Sequence, residues 1–425
     1  VPGVNNSAPI ADKEVSAAFS QTLGDGSLLL AVSGGSDSMA LMYLAAKWRK
    51  AGVKVVTVDH GLRREAGDEA DFVVEQAAKL GLEAIKLKWA GPYPSTGISA
   101  AAREARYALM ADVCRDHDAA LVSAHTQEDQ AETMLMALAR GSGVDGLSAM
   151  QPASTMNGIT LLRPLLGFSR DRLRATLREA GVGWVEDPTN LDEKYERVRV
   201  RKALAVLDEL GVGNADIARS ARRLSRARAA LDAVADDAVR RCVVHEPAGF
   251  ARILLEPFAA LPEEIRLRVV LSVARSYGGA VEQSLSGAEA LLAWIADGEG
   301  AARTFAGCRF ARRSKELLVG REETRVAEPA IKLEPGSDIA CWDGRYAVSL
   351  GCAGGPVTLC AVRDAPTASL PCRPSEVPAF VWNGLPVAID GSGQAHLPGN
   401  LTAVAEKLKQ NVVFSQIHVA GAQLS

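Results

Sequence analysis

Ser33-Gly34-Gly35-Ser36-Asp37-Ser38 stands between the apolar run Leu28–Val32 and a second apolar stretch. Two glycines let backbone N–H groups approach an anion. The hydroxyls of Ser33, Ser36 and Ser38 add donors, and a helix starting here adds partial positive charge. This is a phosphate cradle, but not a Walker loop, which needs Lys and then Ser or Thr after its second Gly. Asp37-Ser38 occupies that region, and no Lys occurs until Lys47. A carboxylate would repel a bare phosphate. Asp37 makes sense if it meets phosphates through Mg²⁺, which binds them together with one or two carboxylates. A plain strand-to-helix turn capped by Ser38 needs fewer donors and no acid.

His125, Asp129 and Glu132 form the second constellation. Their i, i+4, i+7 spacing puts them on one face of a helix predicted over Thr126–Arg140, near its N-terminus. Clustered carboxylates there could hold Mg²⁺ or an ammonium group; a solvated helix face is the plainer alternative. Zinc is disfavoured because no third neutral ligand is near. Arg140-Gly141-Ser142-Gly143 ends the helix with a glycine stop and a cation able to reach phosphate.

The surrounding pattern supplies a scaffold. Leu28–Val32, Val53–Val58, Leu82–Leu87 and Ala119–Ser123 read as strands, and Ser38–Lys50, Glu65–Leu80, Ile98–His117 and Thr126–Arg140 as helices. This α/β alternation predicts a parallel sheet covered by helices on both faces. Ligands in such sheets sit beyond the carboxyl ends of the strands, which selects Ser33–Ser38, Asp59–His60 and Ala124–His125. Further on, "DPTN" at 187–190 reads as a turn and Asp216–Cys242 as one long helix. Residues 194–228 hold ten basic and four acidic side chains, Arg197, Arg199, Arg201, Arg222 and Arg223 among the basic ones.

Residues 250–298 are helical in pattern, "RTFAGCRFARRSKELLVGRE" reads as a β-hairpin, and 322–335 as a linker. "YAVSL", "VTLCAV", "FVWNG" and "LPVAID" then read as short strands. Three domains follow: a nucleotide-binding domain over 1–215, a mainly helical one over 216–322 and a β-rich one over 323–425.

The chain has 425 residues, a net charge of −3 and seven scattered cysteines without a Cys-x-x-Cys pair. Reduced thiols in a cytoplasmic protein are the expectation. No apolar run approaches the ~18–20 residues of a membrane span. "VPGVNNSAPIADKEV" lacks the charged-then-apolar order of a signal peptide.

"SGGSDS" matches the Ser-Gly-Gly-x-Asp-Ser signature of the ATP pyrophosphatase, or PP-loop, group, which includes amidotransferases, tRNA sulfur transferases and a tRNA lysine ligase. "SAHTQEDQAETMLMALARGSGVDGLSAM" at 123–150 resembles "AHHxDDQAETxLxxLxRGxGxxGL" of the bacterial tRNA(Ile)-lysidine synthetases. "VDHGLR" at 58–63, "AAREARYALM" at 101–110, "RPLL" at 163–166 and "EDPTN" at 186–190 resemble that family too, in order. The second His of the pattern is Thr126 here, its first Asp is Glu128, and Val198 replaces the usual Asn after Arg197.

The resemblance implies an adenine-nucleotide α-hydrolase-like, Rossmann-like N-terminal domain. It also implies a reaction: ATP and L-lysine convert the cytidine at the first anticodon position of a minor tRNA(Ile) with a CAU anticodon into lysidine, AMP and diphosphate. Ser33–Ser38 with Asp59 and His60 would bind ATP, with Asp37 toward Mg²⁺. Arg103 or Arg106 would stabilise the reacting phosphate, Asp129 and Glu132 would take the lysine amine beside His125, and the basic segment 163–228, with arginines from Arg163, Arg170 and Arg174 to Arg197, Arg199, Arg201, Arg222 and Arg223, would meet tRNA phosphates. The C-terminal domain would add tRNA contacts, and a second copy of the chain is a candidate partner in a homodimer. A tRNA thiolase using the same adenylation is the rival enzyme; a nucleotide-binding module without catalysis is the rival of another class.

Overall fold

The structure is a computed structural model. It describes residues 8–59, 61, 65–91, 97–186, 196–279, 281, 283–326, 330–343, 346–350, 355–397 and 412–416. The "DPTN" turn, His60 and Lys194 lie outside the described residues. Residues 1–228 and 229–425 form two compact units, the division falling within one long helix.

The first unit is built on a six-stranded sheet of β1 (Ser27–Ala31), β2 (Val53–Asp59), β3 (Glu83–Lys88), β4 (Ala119–Val122), β5 (Ala153–Met156) and β6 (Ile159–Leu162). Its order is β3-β2-β1-β4-β6-β5, parallel except for β5. The helices are α1 (Asp12–Thr22), α2 (Ser36–Trp48), α3 (Ala66–Lys79), α4 (Ile98–Asp116), α5 (Gln127–Ala139), the short α6 (Val144–Leu147), α7 (Arg170–Glu179), α8 (Glu196–Glu209) and α9 (Asn214–Cys242). Leu28 and Leu30 of β1 face one core with α2, while Leu29 faces another with Tyr107, Met110 and Cys114 of α4. The central strand is thus buried on both faces, which is why it reads as an unbroken apolar run. β1 pairs with β2 on one side and β4 on the other, so the loops after β1 and β4 leave in opposite directions. Their parting opens the crevice in which such sheets bind ligands.

Sequence periodicity alone did not announce α1. It packs Val15 and Phe19 into the first core, and Arg172 ties it to α7 by donating to both oxygens of Glu14 and to the carbonyls of Ala8 and Pro9.

The second unit differs from expectation in several places. Within the segment read as helical, α11 (Glu263–Tyr277) and α12 (Leu285–Asp297) form as predicted, after a short α10 (Leu255–Ala259). Phe250–Leu254, however, is a strand, β8, in a five-stranded sheet ordered β7-β8-β11-β10-β9. The other members are β7 (Val243–Glu246), β9 (Ala302–Phe305), β10 (Cys308–Arg313) and β11 (Glu316–Arg321). β8 has partners on both edges, and this long-range pairing outweighs its local pattern. The predicted hairpin is a three-stranded meander; Ala306 and Gly307 both take positive φ, 47° and 75°, in its first turn, as tight hairpin turns require. The expected linker holds an edge strand, β12 (Ile331–Leu333), whose Leu333 enters the core.

Beyond it, β13 (Asp338–Trp342), β14 (Tyr346–Leu350) and β18 (Val412–Gln416) form one sheet. β12, β15 (Val357–Ala361), β16 (Pro386–Asp390) and β17 (Ala395–His396) form another. "FVWNG" is a helical turn, α13 (Ala379–Asn383), not a strand. Pro378 sets φ at −59° at its start and Gly384 follows its end, while Phe380, Val381 and Trp382 are all buried, which an alternating strand would not achieve.

Candidate active site

The loop after β1 is stitched together by Ser38. Its Oγ donates to the carbonyl of Gly35 at 2.9 Å and accepts the N–H of Ser33 at 3.1 Å. Ser38 is therefore mostly buried scaffold at the edge of the open cavity, while Ser33 and Ser36 are the more exposed loop hydroxyls that line it. Gly34 sits at φ +88°, a conformation open to glycine, and its carbonyl accepts the N–H of Val185 at 2.9 Å. Gly35 caps α2, so the first turn of that helix points its free N–H groups at the loop.

The loop forms one wall of a cavity of ≈ 710 Å³. Val56 and Val58 of β2, with Tyr107 and Met110 of α4, add apolar surface; Asp37, Arg170, Arg174 and Arg201 add charge. Polar loop, apolar wall and volume fit a nucleotide. Asp37, the carboxylate within the phosphate loop, would suit Mg²⁺, which binds phosphates together with one or two carboxylates. No cluster of three His, Cys, Asp or Glu able to cage a metal is found among the described residues.

The acids gather around an arginine. Arg170, first residue of α7, donates from Nη2 to Asp129 Oδ1 at 2.7 Å, from Nε to Asp37 Oδ2 at 3.2 Å and from Nη1 to Glu132 Oε1 at 3.3 Å. Arg201 Nε donates to the same Glu132 oxygen at 2.7 Å. Glu128 fixes Arg170 from behind: both its oxygens accept the Arg170 backbone N–H at 3.1 Å, placing a carboxylate at the N-terminus of α7. Burial pushes Asp37 and Glu128 upward in pKa. Burial would also raise Asp129, but Arg170 and the Thr126 N–H outweigh it and hold that carboxyl below its ordinary value. Arg170 is held above its ordinary value because its four acid neighbours together outweigh burial.

His125 does not lie on the helix. Thr126 is extended before α5, its N–H and Oγ1 both donating to Asp129 Oδ2 at 2.8 and 2.9 Å, so His125 falls in the preceding loop. It still lines the cavity, with Nδ1 2.8 Å from Ser123 Oγ. Burial first, then Arg163, Arg103 and Arg197, lower its pKa to about 4 against the pull of Asp129; the ring is neutral at pH 7. Arg103 and Arg106 line the same cavity and lie over Tyr107, and Arg106 Nε is buried with no hydrogen-bond partner among the described residues.

The structure thus gathers Ser33, Gly35, Ser36, Asp37, Ser38, Arg103, Arg106, His125 and Arg201 around one cavity, with Asp129 and Glu132 joined to it through Arg170. Asp59, which ends β2, is not among the lining residues; its Oδ1 accepts the Gly61 N–H at 2.9 Å. Arg199, Arg222 and Arg223 are exposed away from the cavity, and Arg140 pairs with Glu196. Sequence reading counts Arg170 and Arg174 only within a basic segment, 163–228, expected to meet tRNA, and gives Glu128 no role; both arginines instead line the cavity. The local signal for the arginines is position: "SRDR" at 169–172 starts a helix a few residues after "RPLL", while Glu128 stands in the 123–150 stretch.

A parallel sheet with this loop at its switch point defines a PP-loop nucleotide-binding domain, and a family model described as "PP-loop domain" matches residues 9–207. The tRNA(Ile)-lysidine synthase of Bradyrhizobium sp. is 42% identical over 77% of this chain and 95% of its own length. That of Ruegeria pomeroyi is 38% identical over 84% and 86%. A solved structure, the U34-tRNA thiolase NcsA from Methanococcus maripaludis, is similar over 50% of this chain and 78% of its own, at 18% identity and a TM-score of 0.43. The chain belongs to the tRNA(Ile)-lysidine synthase family.

Proposed function

We propose that the protein ligates L-lysine to C2 of the cytidine at the first anticodon position of a minor tRNA(Ile) with a CAU anticodon. The C2 carbonyl is a poor electrophile. Its oxygen attacks the α-phosphorus of ATP and diphosphate leaves. The lysine ε-amine then attacks C2, and the oxygen departs with AMP. The observation that carries this reading is Arg170, which joins the acid of the phosphate loop, Asp37, to the acids of α5, Asp129 and Glu132. A nucleotide subsite and an amine subsite are thereby held side by side.

Ser33, Ser36 and the backbone of Gly35 and Ser36 hold the triphosphate. Asp37 would hold Mg²⁺ together with the phosphates, and the ion would neutralise charge as diphosphate leaves. Arg103 and Arg106, which line the cavity, stabilise charge on the reacting phosphate. Neutral His125 accepts hydrogen bonds without adding a cation beside the amine. The exposed Arg199, Arg222 and Arg223, with Arg197, meet tRNA phosphates, and residues 323–425 add contacts that select the tRNA. A reaction on tRNA fits a cytoplasmic protein. No helix among the described residues is long and apolar enough to cross a membrane.

Sulfur transfer on the same scaffold would need a reactive thiol. Cys114 is 1% exposed, and burial pushes it up to about 11. The deciding assay is incorporation of radiolabelled lysine into minor isoleucine tRNA with ATP and Mg²⁺. Incorporation matched by AMP release is expected; folded protein that incorporates none overturns the reading.

A further inference from the structure

α7 carries arginines at 170, 172, 174 and 178, and three of them have evident partners. Arg170 stands among Asp37, Asp129 and Glu132. Arg172 is buried against Glu14 and the carbonyls of Ala8 and Pro9. Arg178 is exposed and lies over the Trp184 ring at 5.9 Å. Arg174 differs from all three. It lies one helical turn beyond Arg170, is half-buried and lines the cavity. Among the described residues it makes one hydrogen bond, a long one of 3.4 Å from Nε to Ser36 Oγ. A guanidinium has five N–H donors, so the four on Nη1 and Nη2 meet no acceptor among the described residues. Ser36 Oγ in turn donates to Asp37 Oδ1 at 3.3 Å. The guanidinium is thus one hydroxyl away from the acid of the phosphate loop, beside the N-terminus of α2.

A protein cation is what this loop lacks. No lysine stands within Ser33–Ser38, and Lys47, at the far end of α2, pairs with Asp12. We infer that Arg174 is the diphosphate-binding cation of the site, holding the β- and γ-phosphates of ATP on its Nη groups and stabilising diphosphate as it leaves. The inference rests on the reading of this cavity as an adenylating site, and it moves Arg174 from the tRNA surface to the nucleotide. When the bond between the α-phosphorus and the bridging oxygen breaks, the electron pair stays on that oxygen and diphosphate gains negative charge. A fixed cation at that end of the triphosphate gains more in the transition state than in the ground state, so it accelerates the step and does not merely tighten binding. The planar fork of a guanidinium also matches two phosphate oxygens at once. Arg170 is poorly suited to this task, because three acids already share its charge. A tRNA phosphate is the weaker match, because Arg174 touches the loop hydroxyl inside the cavity while Arg199, Arg222 and Arg223 are exposed away from it.

Calorimetry on the full chain with three probes isolates the role: ATP with Mg²⁺, inorganic diphosphate with Mg²⁺, and AMP, which keeps only the α-phosphate. Arg174→Gln should weaken ATP and diphosphate binding at least about tenfold, the size of one lost charge-assisted contact, and AMP binding less than about twofold. Arg174→Lys keeps the charge and loses the fork, so its losses should fall between those of the unaltered chain and Arg174→Gln. In turnover with minor isoleucine tRNA and lysine, Arg174→Gln should lower kcat/KM for ATP at least about tenfold and leave tRNA affinity within about twofold. Diphosphate binding unchanged in Arg174→Gln overturns the inference. An equal loss for AMP also overturns it, because the arginine then supports the cavity as a whole. Weakened tRNA binding with diphosphate binding intact returns Arg174 to the tRNA surface and overturns it as well. The calorimetric arms need neither lysine nor tRNA. Folded protein that loses diphosphate binding in Arg174→Gln, yet incorporates no lysine when unaltered, sinks the ligase reading alone and leaves the diphosphate site standing.

Discussion

Arg170 Nη2 and Asp129 Oδ1 lie 2.7 Å apart across 41 residues of sequence, and the same guanidinium also reaches Asp37 and Glu132. Three carboxylates gathered this closely repel one another unless a cation stands among them. Arg170, 20% exposed at its side chain, is that cation. Arg170→Gln should lower unfolding free energy by about 2–3 kcal/mol, somewhat below the loss for a wholly buried pair. Urea unfolding checks this; an unchanged midpoint would show that the acids tolerate one another without it.

Glu128 illustrates what sequence could and could not reveal. In the family pattern its position is an acid before Asp129, and the helix-face spacing gave it no partner. In the fold it crosses to α7 and accepts the backbone N–H of Arg170. Glu128→Gln should cost about 1 kcal/mol, as loss of a charged cap does, and should shift Arg170 enough to raise the lysine KM. Equal KM values in the two proteins would confine Glu128 to stability.

The strand-loop-helix unit around Asp37 was legible because local rules govern it: an apolar run, glycines, hydroxyls, then a helix. So was every parallel strand through β4. The pairing of Asp37 with α7 was not, because contacts across 133 residues leave no local period. The same holds for β8, whose helical-looking sequence yields to strand partners, and for His125, whose spacing matched a helix that begins two residues later.

Gly34 adopts φ +88° with Val73 and Val185 carbons 3.6 and 3.7 Å from where a Cβ would stand. Space is adequate and the dihedral is not. Gly34→Ala should destabilise by about 1–2 kcal/mol and weaken ATP binding by distorting the cradle. Calorimetric ATP binding equal to that of the unaltered chain would show that the loop absorbs the strain.

His125 carries a pH signature. Its folded pKa, about 4, lies below the ordinary 6.5, so the folded state resists protonation. The sign follows: this group's contribution to stability is whole above about pH 6.5 and falls as pH drops toward 4, by up to ~1.4 kcal/mol per unit. NMR titration of the imidazole should show it neutral at pH 6; a midpoint at or above 6.5 would contradict the buried setting.

The most direct test of the central claim follows one oxygen. If cytidine O2 attacks the α-phosphorus of ATP, that oxygen must leave with AMP when lysine displaces it. Minor isoleucine tRNA carrying ¹⁸O at C2 of the first anticodon cytidine is incubated with protein, ATP, Mg²⁺ and lysine, and the AMP is weighed by mass spectrometry. The adenylation account predicts one ¹⁸O in each AMP formed. Lysidine formation accompanied by unlabelled AMP would contradict it.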